Sequence, residues 1–148
     1  MTTLGIVSIL CIGPLIGVEF AVSSFINPVM RRLDDAAQAA AVRMFARRLG
    51  AAMPYWYGVG LVLLLVETFL RRAQPGFSVL VGASSLWAAV VVFSVLFLVP
   101  INNRMMRLDP GAFSQAAQSE HRRWNTLHQL RIAALIVSFT LFLSTVVR

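Results

Sequence analysis

The chain has 148 residues, 58% of them hydrophobic and only 13% charged, and its mean hydropathy is positive. A soluble domain of this size needs more polar surface than that, so residues 1–148 read as a single integral membrane domain. The net charge is +7 and all 13 basic residues are arginine, but they lie between long apolar runs, where they set topology rather than contact nucleic acid. A lone Cys11, inside an apolar run, has no partner for an internal disulfide.

Leu4–Ile26 is the first predicted span. At about 1.5 Å per residue it reaches about 34 Å, enough for a hydrocarbon core of about 30 Å. No basic residue precedes it and it is longer than a signal core, so a retained helix is expected. Gly13-x-x-x-Gly17 offers a close helix contact, and Pro14 a local kink. Asn27-Pro28 should end or bend this helix, with Asn27 as a candidate C-cap. Asp34 is the expected N-cap of a second helix beginning at Asp35, whose apolar run is Ala51–Leu70. Arg71–Gly76 reads as a short polar turn. Phe77–Ile101 is the third span, closed by Pro100 and Asn102-Asn103.

Asp109-Pro110-Gly111 predicts another helix start, with Asp109 as N-cap and Pro110 at the first helical position. The apolar part that follows, Ile132–Val147, is short: about 24 Å at helical rise. To span, the helix must draw in the turn before it. That places His128 and Arg131 at or just inside the interface, with Trp124 as an interfacial anchor.

Sliding the chain by 75 residues reveals an internal repeat. Ten of the 24 positions from Phe25 to Arg48 are then identical, among them Asn27 on Asn102, Arg32-Leu33-Asp34 on Arg107-Leu108-Asp109 and Arg47-Arg48 on Arg122-Arg123. The expected architecture is therefore all-α: a four-transmembrane-helix bundle made of two parallel two-helix repeats, about 4–70 and 79–145. Five arginines lie in 31–48 and five in 104–131, against Arg71, Arg72 and Arg148 on the other side. The arginine-rich connections should face the cytoplasm of a cell (inner) membrane, with both termini outside.

Glu19 is the sharpest polar signal. An ionisable group deep in a span costs several kcal/mol on insertion scales, of order 2.5–3.5, unless it is paired or protonated. It shares a helix side with Ser23 and Asn27. A proton acceptor, a metal ligand, a substrate anchor and a protonated carboxyl bonded to a neighbouring helix all remain open. Both histidines lie in His121–Arg131, where His121, Trp124, Asn125, His128 and Arg131 fall on about a third of the helix circle. The histidines are too far apart to chelate one metal, since spacings of three or four suit that. No resident metal or other cofactor is expected, a metal at Glu19 and His128 being the weaker alternative. Glu19 should lie deeper than His128, so a site made of both would need a ligand between them. His121, beside Glu120, reads as solvated. Arg131 either snorkels to headgroups or binds an anion, and Glu67 should pair with Arg71 at i,i+4. No Walker loop, dinucleotide glycine pattern, Cys-x-x-Cys or serine-hydrolase elbow is present.

One combination carries a family resemblance: Glu19 in the first span, Asn27-Pro28 at its end, Met53-Pro54 opening the second, Pro100-x-Asn102 closing the third and Trp124-x-x-x-His128-x-x-Arg131 entering the fourth. The chain thereby resembles the anthrone oxygenase-like family of small four-helix membrane proteins. The resemblance covers most of the chain, and the Pro-x-Asn and Trp-x-x-x-His-x-x-Arg pieces are its specific part. It implies oxygenation of an anthrone to an anthraquinone with neither metal nor flavin, and points to Asn102, Trp124, His128, Arg131 and Glu19. On this reading a lipophilic phenolic or enolisable substrate enters from the bilayer. His128 or Glu19 removes a proton and Arg131 stabilises the anion, with Asn27, Asn102, Trp124 and Asn125 binding substrate. The alternative is a non-catalytic membrane module: a subunit, a lipophile binder or a small carrier working as a homo-oligomer.

Overall fold

The computed structural model describes residues 2–109 and 113–146. Among the described residues there are helices and no strands. Four are long and apolar enough to cross a membrane: α1 Thr3–Met30, α2 Asp35–Leu70, α3 Phe77–Met105 and α4 Gln115–Val146. This is a multi-pass membrane protein. α2 has 36 residues, about 54 Å at helical rise, so part of it must extend beyond the hydrocarbon core.

Each start has a local cause. Thr2 Oγ1 accepts from Gly5 N at 3.1 Å and caps α1. Asp34 Oδ1 accepts from Ala37 N at 2.9 Å and caps α2, as its position predicts. The turn from α2 to α3 ends on Gly76, whose φ of 91° is left-handed and favours glycine. The last helix differs from its expectation. Ser114, not Asp109, caps it, with Oγ accepting from Ala117 N at 3.2 Å. Pro110 and Gly111 lie outside the described residues.

Asn27-Pro28 and Pro100 do not end their helices. A proline lacks the N–H that would bond the carbonyl four residues back, and each helix answers with a π-helical stretch just before it. These are Val22–Ile26, closed by Asn27 N–H to Val22 O, and Ser94–Leu98, closed by Val99 N–H to Ser94 O. The wider turn shifts the hydrogen-bond register and lets the helix continue. Asn27 is thus a buried mid-helix residue and not a C-cap.

The four helices pack in a ring, each against its neighbour in the chain and α1 against α4. Every seam carries a side chain bonded to the next helix's backbone. Trp56 Nε1 donates to Cys11 O at 2.9 Å, Trp87 Nε1 to Tyr57 O at 3.1 Å and Ser138 Oγ to Ala83 O at 2.8 Å. His128 Nε2 closes the α4–α1 seam on Glu19 O at 3.2 Å. One apolar core around Ile12, Leu64, Leu80, Trp87, Leu135 and Phe142 fills the end nearer the termini. A second, around Met30, Val42, Ile101 and Met105, fills the other.

Two local expectations fail. Gly17 has nothing within 4 Å of where a Cβ would stand, and a Cβ on Gly13 would meet only the Phe139 ring of α4 at 3.8 Å, so Gly13-x-x-x-Gly17 brings no helix backbone close within the chain. Arg71 does not pair with Glu67. Its Nη2 donates to Thr145 O at 2.7 Å and its Nε to Gln74 Oε1 at 3.1 Å. Glu67 is buried, with Oε1 unpartnered among the described residues. Capping the exposed carbonyls of α4 outcompetes an i,i+4 contact worth a few tenths of a kcal/mol, roughly 0.2–0.5.

Candidate functional site

Between the two apolar cores, polar side chains from α1 and α4 meet. Glu19 comes from the turn of α1 just before the π-helical stretch, and His128 and Arg131 from adjacent positions on one face of α4. All three are buried, with 2%, 1% and 9% exposure. Arg131 Nη2 donates to Glu19 Oε2 at 2.6 Å and to His128 Nδ1 at 2.9 Å. Glu19 Oε2 lies 3.2 Å from His128 Nδ1. The carboxylate and imidazole therefore touch directly, with no ligand needed between them. The expected difference in depth vanishes because the short apolar run pulls α4 inward until His128 is level with the Glu19 carbonyl.

The tautomer follows from the network. A backbone carbonyl can only accept, so His128 Nε2 carries the proton it gives to Glu19 O. In the neutral ring, Nδ1 then has a lone pair, which accepts from Arg131. A proton arriving at Nδ1 would reverse these partners. The Arg131 contact would turn repulsive, and the 3.2 Å approach to Glu19 would become an ion pair. Nδ1 is therefore the ring nitrogen that can take up a proton, at the expense of its contact with Arg131.

A cavity of about 220 Å³ opens over this cluster, lined by Glu19, His128 and Arg131 together with Tyr57, Asn102 and Trp124. Its volume is small for a ligand pocket. The Tyr57 ring lies under the Arg131 guanidinium, at 5.2 Å from Cζ to ring centroid. The Tyr57 hydroxyl and Arg131 Nε are buried without a hydrogen-bond partner among the described residues. Buried donors are rarely left so. Both belong to residues that line the cavity.

The other sequence-predicted residues are brought close but do different work. Asn27 Nδ2 donates to Asn125 Oδ1 at 2.9 Å, tying α1 to α4. Neither residue lines the larger cavity. Asn102 lines it while donating to Ala46 O at 3.1 Å. Trp124 is half-buried and stacks on the His128 ring, with centroids 4.5 Å apart. His121 is buried rather than solvated, standing 6.3 Å from Trp124 and 6.0 Å from Phe113. Glu120 pairs instead with Arg104 at 2.7 Å. His121, Asn27 and Trp124 line a second, water-sized cavity of about 40 Å³. Among the described residues no group of three or more His, Cys, Asp or Glu converges. A cation at Glu19 and His128 would also meet the Arg131 guanidinium, which disfavours it there.

A family model described as anthrone oxygenase matches residues 35–141. The chain belongs to the anthrone oxygenase family. No curated protein and no solved structure matches it. The family match takes in Tyr57, Asn102, Trp124, Asn125, His128 and Arg131, and begins after α1, so Glu19 and Asn27 stand outside it. In this anthrone oxygenase family chain, Tyr57 is the site residue that sequence reasoning missed. Its signal was present. Met53, Tyr57, Gly60, Leu64 and Glu67 recur at helical spacing and all are buried, and a phenol on a buried stripe usually finds a hydrogen-bond partner.

Proposed function

We propose that the protein oxygenates a lipophilic enolisable ketone or phenol of the anthrone class, using dioxygen as oxidant. The observation that carries the reading is that Tyr57 and Arg131, each with a buried donor left unpartnered among the described residues, line one cavity together with His128. The ketone oxygen sits against the two donors. A C–H bond of the ring carbon conjugated to that carbonyl breaks, its proton passing to His128 Nδ1 and its electron pair into an enolate. The new negative charge lies on the oxygen held by Tyr57 and Arg131, while Glu19 stabilises the imidazolium. Net charge in the buried site is unchanged by the transfer, which matters where desolvation is costly.

The enolate is electron-rich enough to reduce dioxygen directly. A C–O bond forms at the carbanion carbon, and His128 returns its proton to the peroxide. The hydroperoxide then loses water as its O–O bond and the second C–H bond break, leaving a new carbonyl. One CH2 and one dioxygen give one C=O and one water. Asn102 and Trp124 shape the cavity, while Asn27 and Asn125 hold α1 against α4.

The test is oxygen uptake and quinone formation by the purified protein with anthrone in detergent, under air and without added cofactor. Tyr57→Phe should lower kcat by about 10²–10³-fold, the range for losing one oxyanion donor, with melting unchanged. A wild-type rate no faster than the detergent blank would return the protein to the class of non-catalytic lipophile binders.

The bundle reads as two parallel repeats, about 4–70 and 79–145, in a cell membrane with the arginine-rich end cytoplasmic. One feature supports the repeat in its 75-residue register. Asn27 on α1 reaches Asn125 on α4, while Asn102 on α3 packs against Gly50 on α2, the position 75 residues before Asn125. Parallel repeats require both termini on one side. A periplasmic-active reporter fused after Arg148 should therefore be active, and activity only from a cytoplasmic reporter would overturn the orientation and weaken the repeat.

A further inference from the structure

A water-insoluble ligand must reach a cavity most of whose polar lining is buried. Of the residues that line the cavity, Glu19 and Val22 on α1 and His128 and Arg131 on α4 are buried. The exposed ones are Pro54 on α2 and Val95 and Asn103 on α3. The opening is therefore between α2 and α3.

That opening is framed at both ends. On one side Asn102 Nδ2 donates to Ala46 O at 3.1 Å, and a Cβ on Gly50 would stand 2.5 Å from the same nitrogen. On the other, Trp87 Nε1 donates to Tyr57 O at 3.1 Å, and a Cβ on Gly60 would stand 2.7 Å from Trp87 Cζ2. Between Gly50 and Tyr57, α2 runs roughly 10 Å at helical rise without closing on α3. Both walls of this gap are irregular: Pro54 interrupts α2 and the π-helical stretch Ser94–Leu98 interrupts α3. Such interruptions bend or widen a helix and collect at functional sites. Val95 is 57% exposed and lies roughly 10 Å along α3 from Asn102, inside the apolar span.

We infer that the gap between α2 and α3, walled by Pro54, Val95 and Val99, is a lateral window. Through it a flat lipophilic ketone or phenol passes edge-on from the bilayer hydrocarbon to the Tyr57 and Arg131 donors. The choice of ligand rests on the proposed function. The window itself rests on the placement of exposed lining residues and of the two helix contacts that frame them.

The experiment uses the full chain in phosphatidylcholine vesicles, mixed with vesicles loaded with anthrone. Quenching of protein tryptophan fluorescence reads arrival, and quinone formation reads turnover. Val95→Phe, and the stronger Val95→Phe/Val99→Phe, should slow quenching and lower kcat/KM by about tenfold, because restricted access acts on association. The rate at saturating anthrone should be unchanged. Val137→Phe, on the exposed face of α4, should change nothing. Wild-type quenching without turnover, slowed by the window variants, would overturn the proposed reaction and leave the window standing. Unchanged quenching in Val95→Phe/Val99→Phe, or no quenching by anthrone in wild type, would overturn the window.

Discussion

His128→Gln should abolish most of the turnover while leaving the fold in place. The imidazole is the group whose lone pair the network exposes: Nε2–H is committed to Glu19 O, and Nδ1 accepts from Arg131. Glutamine keeps a polar side chain that can still bond that carbonyl, so the α1–α4 seam survives. It cannot take a proton. Loss of a general base typically costs about 10²–10⁴ in rate, and a value in that range is expected for kcat. His121→Gln is the control on the same helix face. His121 is buried and stands in line with Trp124, but it touches only the smaller cavity, so its removal should leave kcat within a fewfold of wild type. Anthraquinone formation in matched detergent samples, with melting recorded for each variant, checks both. Full activity in His128→Gln, or equal losses in the two variants, would take His128 out of the chemistry.

The number of spans, the Asp34 cap and the polar face of α4 were all legible in the sequence because each has a one-dimensional signature: an apolar run, a cap residue, a 3.6-residue period. The membrane also made Glu19 and Arg131 conspicuous, since unpaired charge there is expensive. Their direct contact was not legible. Depth estimated from apolar run lengths assumes that each helix centres itself in the bilayer, whereas α4 is pulled inward by its own short run and by the buried pair. The π-helical stretches were hidden for a related reason. A proline announces a missing hydrogen bond, but whether the helix stops or widens depends on what packs beyond it, and here Met30 and Met105 enter an apolar core. Tyr57 was overlooked because a tyrosine on an apolar stripe looks like core until its hydroxyl is found without a partner. His121 was misread because Glu120 suggested a solvated neighbourhood, and Glu120 turned out to serve Arg104 across the bundle end.

Glu19 and Arg131 should show a stability coupling larger than any other pair in the molecule. Both are buried, and their atoms approach to 2.6 Å. Two opposite charges in such a place need not beat a well-packed apolar pair, but removing one of them strands the other, at a cost of about 3–5 kcal/mol. Glu19→Gln leaves the guanidinium with a neutral amide oxygen and His128. Arg131→Gln leaves a carboxylate facing an imidazole lone pair and an unpartnered phenol. Each single variant should therefore melt well below wild type. The double variant Glu19→Gln/Arg131→Gln removes both charges and lets the two amides bond each other, so most of the lost stability should return. Turnover should not return, because the anion seat and the imidazolium partner are both gone. A melting cycle over the four proteins in one detergent measures the coupling directly. Additive losses, with the double variant as unstable as the two single losses together, would mean that the pair is not what holds α1 to α4. Recovery of turnover in the double variant would refute the role of charge in the reaction and leave only a structural one.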